Sequence, residues 1–600
     1  MATVYNPWRG RVGRGLAAVL TGLLLAVSFP PAGQAQVAWF AFVPLIILAR
    51  CSDPLQAWWW GWASGAVFWS LNLIWLLRLS QSGGYLPAVV TGWVLLSAYC
   101  AAYTGAFAMV VAGLSRRIVP SRVTSGTMAE ISECGSAEAD RKDAGTLWNV
   151  AWLVLVPLLW VGFEYLRATL FTGFSWNALG VSQFRNLAII QVAEFGGVYA
   201  VSFVIMLMNT GVALTILKFV ARFRGVPVPK HHLELMLAVA VCCTCLFWGA
   251  RKTIRLEAEN DVAWTRARLA LIQPAVPQVQ KWSQEHLDEI YSRLADLTRN
   301  VKSLEPDLVV WPETAVPYCL LSDTGTLAFV HALVEDVGPI LVGSMEAEGM
   351  GDSLRWYNSS FLVGGNGEIL GWYRKRHLVP FGEYIPLERA FPLLGRFAPL
   401  GFSCTPGTTS TVFVLAVGGE DSALAEERAT DGSGTVPLRL RDSSAKDELQ
   451  RAALPFSVLI CFEDTISWLA RDAVRNGARL LINQTNDAWF EGSAAAVQHM
   501  SHCVFRCVEN RVVAARCANL GISCFIDWKG EIDATTLELL KQGAATATQW
   551  RVEEVHVPLN DRPPTFYTRF GDMPFALPCS LGAVAALLAV VMGRVRLSPT

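Results

Sequence analysis

Charge is scarce in this 600-residue chain. Only 16% of residues are Asp, Glu, Lys or Arg, where soluble domains hold about 25%, so an ordinary soluble enzyme is a poor fit. No sign dominates either: 49 basic against 50 acidic side chains leave a net charge of -1, without the basic surplus of a nucleic-acid binder. No repeat of 20–50 residues is visible, which excludes solenoids and propellers. The fourteen cysteines form no spacing framework, so no disulfide pattern can be deduced. What the chain does have is apolar bulk, with a mean hydropathy of +0.36 and 23 Trp, and this rules out disorder.

The charge is unevenly spread: 25 of the 99 charged residues lie in 1–250 and 74 in 251–600. A membrane domain followed by a globular one is the expectation. Apolar stretches near 14–30, 35–50, 55–78, 85–114, 147–171, 189–217 and 232–250, and an eighth near 576–594, approach the 17–25 residues needed to cross a bilayer. Arg9, Arg11 and Arg14 before the first stretch, with AGQAQ after it, leave a cleaved signal peptide as the rival reading there. The topology downstream is the same in both cases.

With the N-terminus inside, thirteen Lys/Arg fall in inside segments and only Arg78, Arg167 and Arg185 outside. The positive-inside rule then places a domain at 251–575 outside the cytoplasm and the tail 595–600 within it. That domain reads as α/β. Apolar runs at 269–274, 307–313, 339–344, 360–365, 456–463 and 478–487 alternate with helical patterns at 283–303, 324–336, 466–476 and 497–516, as in a covered, largely parallel or mixed sheet. The polar stretch 418–452 reads as a solvated insertion loop.

Three segments end an apolar strand with a reactive side chain: Glu313 in WPET, Lys375 ahead of HLVPFGEYIP, and Cys461 in VLICFED. A carboxylate, an ammonium and a thiol converging beyond strand ends supply a base, a cation for an oxyanion and a nucleophile. Taken singly, each has a bland reading: an inert core thiol, a helix-capping carboxylate, a solvated basic run.

Their order changes the weighting. Glu313, Lys375 and Cys461, with HLVPFGEYIP, NDAWF (486–490) and QHMSHCVFRCVENR (498–511), resemble the carbon–nitrogen hydrolase (nitrilase) superfamily and, within it, the apolipoprotein N-acyltransferases. FEYLR (163–167), TGFSWNALG (172–180) and IQPAVPQVQKW (272–282) extend the likeness over nearly the whole chain. The resemblance implies a polytopic helical membrane domain of about eight spans and an extracytoplasmic αββα sandwich in a bacterial inner membrane. It also implies a Glu-Lys-Cys triad, ping-pong transfer of an acyl chain from a phospholipid to the α-amino group of an S-diacylglyceryl apolipoprotein, and no cofactor. Glu383, Glu463, Phe462 and Trp282 become supporting positions, and Glu164 and Arg167 candidates near the lipid entrance. Phe462 departs from the Tyr frequent in the family, so a phenolic hydroxyl is lost while the ring remains.

Other constellations rank lower. His499, His502, Cys503 and Cys507 lack a finger spacing, His377 reads as a structural hydrogen-bonder, and Glu194 is a weaker intramembrane candidate. Gly61-x-x-x-Gly65 permits close helix packing. Rival functions are a membrane-anchored amidase using the same triad and a transporter with a receptor domain. Eight spans exceed what an anchor needs, and no paired midplane sites favour a transporter.

Overall fold

The computed structural model describes residues 10–118, 135–226, 228–257, 264–281, 283–386, 402–417, 453–542, 549–558 and 563–595. The expected insertion loop 418–452, the tail from 596 and Trp282 lie outside the described residues. Two units emerge. One comprises Met1–Leu77, Leu86–Thr253 and Phe570–Thr600; the other comprises Arg78–Tyr85 and Ile254–Arg569.

The first unit is helical. Among the described residues, six helices are long and apolar enough to span a bilayer: Gly10–Ser28, Leu86–Arg116, Leu147–Thr172, Ala193–Phe223, Leu233–Glu257 and Ala576–Gly593. The expected count of eight is therefore approximate. The stretch 35–50 is short and interrupted, a 3-10 turn, Ala35–Trp39, followed by the eight-residue helix Val43–Arg50. Pro54–Asn72 is a 19-residue helix whose five tryptophans lower its hydropathy. Its glycines do pack as expected: a Cβ on Gly65 would sit 2.8 Å from the Ala101 backbone, and one on Gly61 would meet the Thr104 carbonyl and Ala108.

The second unit holds two sheets. Six strands run in the order β11-β1-β2-β3-β4-β5: β1 Trp264–Gln273, β2 Leu308–Val310, β3 Ile340–Glu348, β4 Arg355–Val363, β5 Ile369–Arg374 and β11 Gln549–Pro558. Five run β10-β9-β8-β7-β6: β6 Phe413–Ala416, β7 Ala453–Ile460, β8 Leu480–Thr485, β9 Val513–Ala518 and β10 Cys524–Ile526. Period-two alternation gives each sheet two apolar faces. In β1, Ala267, Leu269 and Leu271 join Val310, Phe456, Val458 and Ile482 in a core shared by both sheets. Ala270 and Ile272 turn the other way, into a core with Leu294, Val330 and Leu333 of the helices Leu287–Asn300 and Thr324–Val337. Helices Ser467–Arg475 and Ala495–Asn510 belong to the second sheet. This is the expected helix–sheet–sheet–helix layering.

One boundary differs. The helix expected over 497–516 stops at Asn510, because Arg511 turns left-handed (φ 53°), and the chain re-enters the sheet as β9. The run CVFRCVENRVVAARC carries apolar residues at both periods, so the switch is not visible in it.

Candidate active site

Two strand ends from one sheet and one from the other build the site. Glu313 follows β2, Lys375 follows β5, and Cys461 follows β7. Each position is set by a local backbone constraint. Gly343 on β3 lies so close to the Pro312–Thr314 segment that an added Cβ would sit 2.8 Å from the Thr314 nitrogen and 3.0 Å from the Glu313 Cα. Thr314, next in chain, is left-handed (φ 44°). The Lys375 amide donates to the Asn358 carbonyl at 2.8 Å, continuing the β4–β5 ladder past its end. Cys461 is itself left-handed (φ 53°), a conformation that costs a non-glycine residue about 1–3 kcal/mol and persists only where surroundings enforce it.

Those surroundings are polar and buried. Lys375 Nζ lies 3.2 Å from Glu313 Oε1 and 2.9 Å from Glu383 Oε1. Asn358 Nδ2 bridges the same two carboxylate oxygens at 2.8 Å each. The Val379 amide donates to the second Glu383 oxygen at 2.9 Å. The Glu313 carboxylate and the Cys461 thiol are close enough to influence each other's ionisation. Burial would push Lys375 down, but Glu313 and Glu383 hold it well above the usual lysine range. Burial likewise opposes ionised Glu313, yet Lys375 and Lys281 keep its carboxyl below the ordinary value. Burial, and then Glu313, drive the Cys461 thiol far up. At rest the site is a neutral thiol beside a carboxylate–ammonium pair.

Glu463 sits elsewhere in the arrangement. It is fully buried and accepts from the amides of Ile460 (2.8 Å), Arg376 (2.7 Å) and His377 (3.0 Å), and from the Tyr373 hydroxyl (3.0 Å). Its carboxylate thus ties the strand leading to Cys461 to the turn following Lys375. Phe462 stacks on His377 with centroids 6.1 Å apart.

Beneath Cys461 lies a network that sequence reasoning missed, having read only His499 of it, within a weak metal candidate. His499 Nε2 is 3.2 Å from the Cys461 carbonyl and 2.9 Å from Asp464, and Nδ1 is 2.8 Å from Asp487. Arg516 closes the ring, 2.6 Å from Asp464 and 3.0 Å from Asp487. Burial disfavours the imidazolium, but Asp464 and Asp487 outweigh it and raise His499 to about 9. Among the described residues no group of His, Cys, Asp and Glu is arranged to hold a metal ion.

In the helical unit, Glu164 and Arg167 are buried but do not pair directly. Arg167 donates to the carbonyls of Phe174 (2.5 Å) and Trp176 (2.9 Å) and lies over the Trp69 ring. Glu164 accepts from the Leu179 amide at 2.7 Å. Both pin the segment 174–179. Glu194 pairs instead with Lys252 at 3.3 Å.

Two family patterns match the chain: an apolipoprotein N-acyltransferase N-terminal domain over residues 21–211 and a carbon–nitrogen hydrolase domain over 268–548. An apolipoprotein N-acyltransferase of Geobacter metallireducens is 34% identical over 95% of this chain and 94% of that protein. One of Chlorobaculum tepidum is 28% identical over 98% and 99%. The nitrilase-superfamily protein Nit3 of Saccharomyces cerevisiae, a solved structure, aligns with 49% of this chain and 90% of its own at 17% identity and a TM-score of 0.30.

Proposed function

Since the chain belongs to the apolipoprotein N-acyltransferase family, we propose that it moves an acyl chain from a phospholipid through Cys461 to the α-amino group of an S-diacylglyceryl lipoprotein. The observation that carries the route is the cluster of thiol, carboxylate and buried ammonium at Cys461, Glu313 and Lys375. With the thiol protonated and Glu313 ionised at rest, proton transfer accompanies attack rather than preceding it. As Sγ bonds the ester carbonyl carbon, its proton passes to Glu313, and the oxyanion forms against Lys375 and backbone N–H groups. One such donor is typically worth about 2.7–4 kcal/mol.

Collapse breaks the ester C–O bond, and the leaving lysophospholipid oxygen takes the proton back from Glu313. A thioester remains. The acceptor amine, with an unperturbed pKa of about 7.7–8.0, then attacks that carbonyl and gives a proton to Glu313. The C–S bond breaks, the sulfur recovers the proton, and an amide leaves. Thioester to amide runs downhill, so this route needs neither nucleotide nor metal.

Glu383 and Asn358 hold Lys375 and Glu313 in register. Glu463 and Phe462 support the turn that follows Lys375. Glu164 and Arg167 shape the segment 174–179 on the lipid side. The protein is a multi-pass membrane protein, and the distribution of loop charges favours a catalytic unit outside the bacterial inner membrane.

The test is mass spectrometry of the purified protein after exposure to phospholipid. An acyl adduct on Cys461, released by a diacylglyceryl peptide as its N-acyl product, is expected. An unmodified Cys461 alongside active turnover would sink the route.

A further inference from the structure

One buried cation of this site has no part in the triad. Lys281 is only 3% exposed and ends the turn after β1. That turn is held firmly: Asn519 exchanges hydrogen bonds with the Val276 backbone (3.0 and 2.8 Å), and Asn486 donates to Gln278 at 2.8 Å. The Lys281 ammonium donates to the Glu313 main-chain carbonyl at 2.9 Å. Among the described residues no carboxylate lies within ion-pair distance, and its other two N–H groups have no partner. A buried ammonium without a carboxylate is costly to keep, so stability does not account for it. Its charge is felt by both Glu313 and Cys461.

We propose that Lys281 is a positioning residue of the reaction, holding the Glu313 backbone from behind and keeping a positive charge beside the carboxylate–thiol pair. The inference rests on the acyl-transfer reading above. Positive charge there favours the ionised base at rest and the anionic sulfur and oxygen that develop during attack. Burial lowers Lys281 to about 8, with Glu313 and Cys461 resisting the fall. The charge therefore exists below that pH and is lost above it. The titratable groups facing Lys281 are Glu313, which ionises far below this window, and Cys461, which does so far above. Lys375, across Glu313, also stays charged throughout. His499, behind Cys461, titrates near 9 and is unaltered by substitution at Lys281.

The experiment follows acyl-enzyme formation from phospholipid between pH 6 and 9.5 in wild type, Lys281→Met and Lys281→Arg, with thermal melts of each. Wild type should lose rate above about pH 8. Lys281→Met should be slower at pH 7, on the order of 10²-fold, should lack that fall, and should melt no lower than wild type. Lys281→Arg, which stays charged, should carry the fall to higher pH. A Lys281→Met protein that melts several degrees lower while acylating normally would overturn the proposal. So would a Lys281→Arg profile that still falls at pH 8; this comparison stands even if the Met variant does not fold. Wild-type protein that forms no adduct at any pH would instead overturn the acyl-transfer reading, and the inference with it.

Discussion

At the scale of single residues, chemistry is decided by who holds the proton. Burial and the Glu313 carboxylate both oppose a Cys461 thiolate, so on the proposed route the thiol keeps its proton until an ester arrives. Cys461→Ser should therefore leave the fold intact and abolish adduct formation, since a hydroxyl is a far poorer nucleophile than a sulfur losing its proton. Glu313→Gln should block loading, the amide being unable to accept that proton; loading at the wild-type rate would mean that another group serves as base. Lys375→Ala should slow both half-reactions, measured separately as acyl-enzyme formation and peptide acylation. His499 gives a pH signature of a different kind. Its folded pKa of about 9 exceeds the unfolded value of about 6.5. Its stabilising contribution is thus complete below pH 6.5 and fades as pH rises through 9. The linkage is on the order of 3 kcal/mol, and melts at pH 6, 7 and 8 should show the decline in wild type and not in His499→Gln. Lys281, lowered to about 8, adds the opposite slope only as pH approaches 8.

At the scale of elements, a close tolerance at the site lies between β3 and the segment after β2. Gly343→Ala should push the Glu313 backbone away from the thiol, with acyl-enzyme formation falling on the order of 10²-fold and the melt falling too, since the clash is with buried backbone; wild-type rates and melt would mean the segment can yield. Much of this was legible in the sequence. Short apolar runs ending in Glu313, Lys375 and Cys461 mark strand ends, and the apolar bulk of 1–250 marks the helical unit. The remainder was hidden for physical reasons. Asn358 and Lys281 act by reaching across from other strands and turns, and nothing in the local pattern distinguishes such an Asn or Lys from a surface one. His499 and Arg516 each look ordinary on their own element, and only the packing of the helix Ala495–Asn510 against β9 reveals their shared carboxylates. The break in 35–50 depends on chain packing about Phe42, whose amide donates to Asn209 at 2.8 Å.

At the scale of the whole molecule, orientation is the first matter to check. Met350, 87% exposed in the second unit, and Phe223, 94% exposed at the end of a span, should lie on opposite sides of the membrane. In spheroplasts an impermeant maleimide should label Met350→Cys above the wild-type background, while Phe223→Cys should react only after lysis; the reverse pattern would invert the topology. A second property follows from the Glu463 clasp. Its donors come from β5 and the turn after it on one sheet, and from Ile460 on the other, and the triad is divided between the sheets in the same way. Neither sheet alone has a reactive centre. On the proposed route, a chain with only one sheet formed should be chemically inert toward the lipid around it, with competence expected only on closure of the sandwich. Acquisition of the first acyl group would then be a built-in report that folding has finished.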